Sequence, residues 1–485
     1  MSKKFKSLSA LLSLFLLLCT FGCDRKAEAP VVLLPTPVPA ANNSTLSLLR
    51  EPIVLHRSEL LSGALPVWRQ YAAQKPTLLL LSNSPFTLPV PESLRLETDT
   101  LAIIGSAEEI ASRSHPGCSD LLFVPDMTLD IPLRLGWFKQ FVWAVPTMDP
   151  ETPPQLETLR DQMLATGLIA NEESVSIIGK TMPRALPVSM ELRGTPTTLA
   201  LLDQLPVIDG PVVLHIDLSY FQGLYKSEVA TPVLGLVAQT LTTLRDKNIQ
   251  VLAVTFSYGN LDSRIALDVR FQGDLLAELL ADPQVLSAPL ASPWKEQKDI
   301  LYLKDFFKKE MILERAKAQE SAFPAAPFVK FNLFRAEAEM NHGSLALDYF
   351  AAAVKLDKVY AVGYLDLADL AFNRNRPDEA LRMLRLANVV WPEDIHIRLQ
   401  MAQLANQLGD RRTALHLVEQ LQALTWSPIY YPEMPGYLQG FAKFLQEEPA
   451  PGASTPPMQP SPAMKSKSGN GPNSVQGTGL PTGHP

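Results

Sequence analysis

The chain has 485 residues, of which 46% are hydrophobic and 19% are charged, and this is typical of a globular protein with two or three domains. A length of this order excludes the small disulfide-stapled folds. The formal net charge of −7 disfavours electrostatic binding of nucleic acid, because neutralising phosphates needs a basic surface. Prolines outnumber glycines by 42 to 24, which indicates stiffened linkers.

Residues 1–22 have the pattern of a bacterial secretion signal. A start with three lysines precedes an apolar run over residues 8–18, which is shorter than the roughly 20 residues that a membrane-spanning helix needs. The following Thr20-Phe21-Gly22-Cys23 resembles the lipobox of bacterial lipoproteins, in which a small residue precedes a cysteine that receives diacylglycerol. The resemblance implies acylation of Cys23 and a membrane-lipid partner. The alternative is an ordinary cleaved signal in which Cys23 is incidental.

Two features after Cys23 predict where the mature chain resides. Asp24 resembles the enterobacterial signal that keeps a lipoprotein on the inner membrane, so we expect a lipid-anchored envelope protein on the periplasmic face of that membrane rather than on the outer membrane. Residues 23–50 contain four closely spaced prolines, which favour an extended tether. At about 3.1 Å per residue, roughly 25 residues could hold a domain several tens of Å from the bilayer.

Cys118 is the one other cysteine of the expected mature chain, so no intramolecular disulfide is expected if Cys23 is acylated. His115 and Asp120 lie close to it in sequence and suggest a nucleophile with a base. Pro116 and Gly117 mark a turn between them, and no third group completes a catalytic set. We therefore predict a lone, buried thiol without a catalytic role.

Residues 51–300 predict an α/β domain. Continuous apolar strands that alternate with helices are typical of a mainly parallel sheet covered on both faces. The predicted strands cover residues 77–81, 101–104, 121–124, 141–145, 175–178, 188–192, 212–218 and 251–256. The predicted helices cover residues 154–166, 197–204, 231–247 and 272–280.

Residues 301–326 predict one charged helix that connects this domain to an all-α domain over residues 327–447. Residues 361–394 resemble a tetratricopeptide repeat, with the family's aromatic, small and apolar places filled by Tyr364, Leu367, Ala368, Ala380, Leu384, Ala387 and Pro392. The same step backward and forward from Ala380 reaches Ala346 and Ala414, so three units are in phase. Small residues at these places let two helices cross closely. A last helix over residues 436–446 would cap the array.

Residues 448–485 lack aromatic side chains and long apolar runs. Such a segment cannot bury enough apolar surface to offset the entropy lost on folding, so it is predicted to be disordered.

The strand at residues 211–221 carries the most suggestive chemistry, because His215 and Asp217 share one face near its carboxyl end, where open parallel sheets bind ligands. It resembles a ligand strand of the arginase-like metallohydrolases, which would make Asp217 the first metal ligand and His215 a neighbour in a residual metal site. The resemblance puts Ser219 at the second ligand place, and the family's other ligand strand would fall on Leu80, Ser82, Ser84 and Phe86.

One Asp and one His cannot neutralise two dications, so the resemblance implies a site without metal, and we expect no cofactor and no catalytic residue. The alternative interpretation needs no lost activity. In it, Asp217 caps the following segment and His215 is a hydrogen-bonded core histidine.

The sequence therefore favours a membrane-anchored scaffold that binds a protein or peptide through its repeats, beside a catalytically silent α/β domain. The tetratricopeptide resemblance implies a groove lined by the first helix of each unit, and the matching residues are Arg335, Leu365, Asp369, Phe372, Asn373, Gln403 and Asn406. This mixed surface suits an amphipathic or extended peptide. One alternative is a hydrolase of arginase-like fold that keeps a residual metal site at Asp217 and recruits substrate through the repeats. A structural assembly factor is another.

The lipid anchor is tested by the substitution Cys23→Ala. The variant should leave the membrane fraction of cells, because the lipobox then lacks the cysteine that is acylated. Fractionation and immunoblotting measure this, and Cys118→Ala is the matched control that should stay on the membrane. Retention of a signal-cleaved Cys23→Ala protein in the membrane fraction would show that the anchor lies elsewhere.

Overall fold

The computed structural model describes residues 44–146, 186–259 and 267–447. The predicted signal, the tether start with Cys23 and Asp24, and the tail over residues 448–485 lie outside these residues. The predicted helix at 154–166 and the predicted strand at 175–178 lie outside them as well. Across the described ranges, no helix is both long enough and apolar enough to cross a membrane.

The N-terminal part is an α/β region built on one mixed sheet. Its strands are β1 Leu46–Ser47, β2 Leu55–Ser58, β3 Thr77–Leu81, β4 Gln140–Ala144, β5 Val188–Leu192, β6 Thr195–Ala200, β7 Val212–Asp217 and β8 Gln250–Ser257. Among the described residues, the sheet follows the order β1-β8-β7-β3-β4-β6-β5, and β2 also pairs with β8.

The expectation of a mainly parallel sheet is corrected to a mixed one. β1 pairs with β8, and β5 with β6, in antiparallel fashion at the two edges. The central β7 pairs in parallel with β3 and with β8. The hairpin of β5 and β6 turns through Arg193 and Gly194, whose φ angles of +51° and +76° belong to the tight turn that suits the twist of antiparallel strands.

Helices cover both faces of the sheet. They are α1 Leu65–Arg69, α2 Arg95–Ile104, α3 Ala107–Ser114, α4 Asp130–Arg134, α5 Leu218–Leu224, α6 Val233–Asp246 and α7 Phe271–Ala281. The alternation of a strand sends Leu79 and Leu214 into the cluster under α6 and α7. Leu78, Leu80 and Val213 face the opposite cluster under α1 to α4. The central strands β3 and β7 are buried along their whole length because neither face of the sheet meets water there.

Three local predictions were wrong in this region. Residues 101–104 form the last turn of α2, residues 121–124 follow no regular structure, and residues 197–204 begin in strand β6 rather than in a helix. Short apolar runs do not distinguish a strand from a buried helix, and the β-branched threonines of β6 favour a strand. In each of the three segments, the residues that pack against it in the folded chain decided its secondary structure.

The C-terminal part is all helical and follows a constant step. Its helices are α8 Trp294–Asp305, α9 Lys309–Ala322, α10 Pro327–Glu339, α11 Gly343–Leu356, α12 Val362–Asn373, α13 Pro377–Val390, α14 Ile395–Gln407, α15 Arg411–Gln422 and α16 Met434–Gln446. The second helices of four successive hairpins begin at Lys309, Gly343, Pro377 and Arg411, which are evenly spaced along the chain.

The expected single connecting helix is in fact the first of these hairpins. Chain direction reverses between α8 and α9, and Phe307 takes a left-handed φ of +55° there. The same place in the next three hairpins is held by Asn341, Asn375 and Gly409, all with positive φ. Asparagine and glycine indicate such a turn in a sequence because they tolerate a positive φ, whereas phenylalanine does not indicate one.

Small side chains sit at the helix crossings. Ala346, Ala380 and Ala414 are all buried, at 2%, 0% and 0% exposure. The equivalent place in the first hairpin holds the buried Ile312, so the alanine pattern that reveals three units in the sequence stops before the fourth. Burial at this place is therefore the constant property, and alanine is only its commonest form.

The substitution Ala380→Leu tests this crossing. The added atoms meet a fully buried contact and should lower the free energy of unfolding by roughly 1–3 kcal/mol through overpacking. Urea unfolding of the whole chain measures the change. Ala351→Leu, on the exposed side of α11, is the matched control and should leave the midpoint nearly unchanged. Equal midpoints for both variants and the parent chain would refute the crossing at Ala380.

Candidate functional site

Two neighbouring parallel strands bring four polar side chains together at the carboxyl end of the sheet. The register of β7 and β8 pairs His215 with Thr255 and Asp217 with Ser257. His215, Asp217 and Ser257 are completely buried, and Thr255 is nearly so. All four lie on the sheet face that carries Trp68 of α1, whose ring meets the imidazole edge-on at 5.6 Å between centroids.

Hydrogen bonds join these groups into one chain. His215 Nδ1 lies 2.8 Å from Thr255 Oγ1, and His215 Nε2 lies 2.9 Å from Ser257 Oγ. Ser257 Oγ is in turn hydrogen-bonded to Asp217 Oδ2. The other carboxyl oxygen of Asp217 accepts a bond of 3.0 Å from the backbone N–H of Ser219, which makes Asp217 the N-cap of α5.

The donors and acceptors fix the tautomer of His215. The Thr255 hydroxyl donates to the carbonyl of Leu214 at 3.2 Å. Its oxygen also accepts the indole N–H of Trp68 at 3.2 Å, so its single proton is already used. With the Thr255 proton assigned to the carbonyl of Leu214, Nδ1 of His215 donates to Thr255, and Nε2 is left to pair with Ser257.

Two proton arrangements satisfy every group in the chain. In the neutral one, a protonated Asp217 donates to Ser257, and Ser257 donates to His215 Nε2. In the charged one, an imidazolium donates to Ser257, and Ser257 donates to a carboxylate. Burial opposes charge on both groups: it raises the pKa of Asp217 and lowers the pKa of His215 to about 3, which favours the neutral arrangement.

The sequence does not mark Ser257 as a nucleophile, because no histidine lies near it and its partner His215 stands 42 positions earlier. The parallel register of two strands is the signal that could have paired them. The contact of a hydroxyl with an imidazole suggests a nucleophile and its base. In a catalytic triad, however, the carboxylate orients the histidine, whereas here Asp217 contacts the serine, and all three groups are enclosed.

The residues expected to complete a metal site lie beside this chain but bring no ligands. β3 is the neighbour of β7, with Leu80 opposite His215. Ser82 is buried and bonds the carbonyl of Ser84, and the ring of Phe86 is buried. Among the residues that the structure describes, no group of three or more His, Cys, Asp or Glu side chains could hold a metal ion. His215 and Asp217 are arranged as a core histidine and a helix cap.

Cys118 lies in a loop that docks against the helical region. Burial, and then a hydrogen bond of 2.7 Å to Asp120, raise the pKa of its thiol to about 12. A thiol is a weak nucleophile when so little of it is ionised. The neighbouring His115 stacks on Trp391 at 6.3 Å between ring centroids rather than serving as a base for Cys118.

This docking loop, residues 115–122, meets the segments that connect one helical hairpin to the next. The carbonyl of Gly117 accepts the N–H of Ile395 at 3.0 Å, and that of Ser119 accepts the N–H of Ser427 at 2.7 Å. The carbonyl of Pro116 accepts the Tyr431 hydroxyl at 2.5 Å. Leu121, predicted as part of a strand, is instead buried in the core of the helical region.

A buried arginine makes the second joint between the two regions. Arg270 bonds Glu59 through two nitrogens at 2.7 and 2.9 Å and reaches Asp357 at 3.2 Å. Its guanidinium lies over the ring of Tyr258, 3.9 Å from the centroid, and 5.8 Å from that of Tyr360. Asp357 and Tyr360 again belong to a segment between hairpins, so both joints use the same edge of the array.

The residues predicted to line the repeat groove have different surroundings. Arg335 reaches Asp268 of the α/β region at 3.4 Å, and Gln403 donates to the Tyr437 hydroxyl at 3.0 Å. Leu365 and Phe372 pack partly against the helical core. Asn373 is exposed, and Asp369 and Asn406 are half-buried. Tyr437 of α16, which the sequence did not single out, joins this face.

Comparison with known proteins assigns no family to the chain. No protein-family model matches it, and no curated protein matches it significantly.

The neutral proton arrangement predicts the behaviour of Asp217→Asn. An amide can accept from Ser219 and donate to Ser257, as a protonated carboxyl does, so this variant should fold normally, whereas Asp217→Ala should lose about 0.5–2 kcal/mol with its helix cap. The folded-state pKa of Asp217 is raised above its ordinary value of 3.8. Wild-type stability therefore falls as pH rises from about 4 toward that pKa, because the unfolded state releases its proton first.

The stability of Asp217→Asn relative to wild type should accordingly increase with pH over this window. Urea unfolding between pH 4 and pH 8 measures the difference, and the shared His215 largely cancels from it. A variant that is less stable than wild type at neutral pH would contradict the neutral arrangement, because an imidazolium would then have lost its carboxylate.

Proposed function

We propose that this protein is a lipid-anchored scaffold of the bacterial envelope, tethered through Cys23 on the periplasmic face of the inner membrane. Its helical region, which we assign to the tetratricopeptide type, binds a protein or peptide partner, and its α/β region holds that array in place without catalysis. The proposal joins the lipobox resemblance to the geometry of the helical array.

The observation that carries the proposal is the way in which the helical array is docked. The docking loop and Arg270 contact the array at Asp357, Tyr360, Ile395, Ser427 and Tyr431. All of these lie at or next to the segments between hairpins. The first helices α12 and α14 and the cap α16 therefore keep a face that offers partly exposed side chains from three neighbouring helices.

This face combines apolar and polar groups in a way that suits a peptide. Leu365 and Phe372 provide apolar contact, while Asn373, Gln403 and Asn406 provide amides. An extended or helical peptide could bury its apolar side chains here and satisfy its polar groups on the amides. The constant step between hairpins and the buried small residues at the crossings support the tetratricopeptide assignment, because the step equals the period of that family.

A hydrolase with a metal at Asp217 receives less support. Both carboxyl oxygens of Asp217 already have partners, and neither Asp217 nor His215 is accessible. A metal ion there would have to break the helix cap and the bond to Ser257. The polar chain is instead suited to joining β7, β8 and α1 in one arrangement, since a buried polar group is stable only when it is hydrogen-bonded.

Site-specific photo-crosslinking in living cells tests the scaffold function. A photoreactive amino acid at Phe372, Asn373 or Asn406 should yield a discrete crosslinked product with a partner. Matched probes at Arg382 and Glu419, exposed positions on the second helices α13 and α15, serve as controls and should not yield it.

The product from the groove probes should also disappear when Gln403→Arg places a bulky charge on the same face. A product of equal yield from groove and control positions, or none from the three groove positions in growing cells, would refute binding at this face.

A further inference from the structure

The turn between the two helices of the first hairpin differs in sequence from the turns of the other three hairpins. At equivalent places the later hairpins turn through Met340-Asn341-His342, Arg374-Asn375-Arg376 and Leu408-Gly409-Asp410, whereas the first turns through Phe306-Phe307-Lys308. Phe307 is 81% exposed and Phe306 is 47% exposed. We call residues 302–311 the aromatic tip.

The aromatic tip lowers the stability of the folded chain in two ways. A left-handed backbone is unfavourable for a bulky side chain, and Asn or Gly holds this place in the other hairpins. A ring left in water also forgoes the free energy of burial. The turn needs this backbone conformation but does not need a phenylalanine in it, and strained positions of this kind cluster at sites of function, so the tip is a candidate contact surface.

The surroundings of the tip extend its apolar surface and add positive charge. Tyr302 packs beside Phe306 with 4.9 Å between ring centroids, and both Tyr302 and Met311 are about half exposed. Lys308 and Lys309 are exposed directly after the two phenylalanines, and Glu310 is the exposed acid that follows them.

A second segment is held against the same end of α8. The N–H of Glu228 donates to the Asp305 carboxylate at 3.1 Å. This segment exposes Val229 to 60% and also exposes Lys226. Three lysines, Lys226, Lys308 and Lys309, therefore face solvent around an apolar centre, together with the carboxylates of Asp305 and Glu310. The lysines outnumber these two carboxylates, so this end of the hairpin carries a small excess of positive charge.

We propose that the aromatic tip inserts into the interface of a lipid bilayer that contains anionic lipids. The aromatic rings would enter the headgroup region, where such rings are favoured, and the lysines would extend toward the phosphates. The inference rests on the proposed membrane anchoring, which brings the chain to a bilayer.

The tip is better suited to a membrane than to a protein partner. A stable protein interface uses about 20–30 residues on each side, whereas a narrow protrusion with a few apolar side chains and neighbouring lysines is enough for contact with a bilayer surface. Such contact is weak and reversible by itself. It would orient the array against the membrane, while the acyl chain would keep it there.

Vesicle flotation tests the proposal with the whole mature chain carrying Cys23→Ala, so that no acyl group contributes. The protein should float with vesicles of phosphatidylethanolamine and phosphatidylglycerol. The double variant Phe306→Ser/Phe307→Asn should lose binding about a hundredfold, since burying one phenylalanine changes an affinity by roughly tenfold or more. Lys308→Gln/Lys309→Gln should weaken binding several-fold and reduce its dependence on salt.

Val389→Ser is the matched control, because Val389 is 80% exposed on α13 and far in sequence from the tip. It should bind vesicles like the parent chain. Phe307→Asn alone should raise the urea midpoint, since asparagine tolerates the left-handed backbone, and this separates a loss of binding from a loss of folding.

Several results would overturn the membrane contact: absence of parent-chain binding, equal binding to phosphatidylcholine vesicles, or unchanged binding of the double variant. Crosslinking of Phe307 to a protein in cells, with no vesicle binding, would assign the tip to a protein partner instead. None of these results depends on acylation of Cys23 or on the repeat groove, so this proposal can fail while the proposed function stands.

Discussion

The arrangement of the molecule depends on the pairing of Arg270. A guanidinium with a 5% exposed side chain is stable only if its charge is compensated, and here the compensation comes from both parts of the chain. Glu59 belongs to the α/β region and Asp357 to the helical region. Separating the regions would leave a buried charge with half of its partners, and it would also open the apolar core that Trp294 and Phe328 of the helical region share with the α/β region.

The docking loop contacts the same edge of the helical array and sets the orientation of the array on the α/β region. Its bonds are made by backbone groups of Gly117 and Ser119, while Leu121 supplies an apolar contact with the helical core. The hydrogen bonds fix where the loop lies along the array, and burial of Leu121 adds hydrophobic stabilisation. The docking loop and Arg270 thereby hold the groove face and the aromatic tip in one arrangement, so the membrane contact proposed at the tip would also determine the direction in which the groove faces.

The polar chain from Asp217 to Thr255 illustrates how a catalytic pattern can serve structure. Carboxyl, hydroxyl and imidazole occur together, as they do in hydrolases, but the carboxyl contacts Ser257 and not His215, and water is excluded. A chain in which each group both donates and accepts holds two strands and the indole of Trp68 in one register. The cost of burying these groups is offset by satisfying all of their hydrogen bonds.

The sequence by itself determined the features that depend on local pattern. Continuous apolar runs predicted the inner strands β3, β4, β7 and β8, and evenly spaced alanines predicted the last three hairpins, because burial on both faces and close helix crossings restrict residue type directly. Only the tertiary structure decided the rest. The pairing of Ser257 with His215 comes from strand register. The burial of Leu121 comes from docking, and the first hairpin turns at a phenylalanine without a turn signal. Each of these features depends on contacts between residues distant in sequence or on backbone strain that packing sustains. Neither such contacts nor such strain can be predicted from local composition.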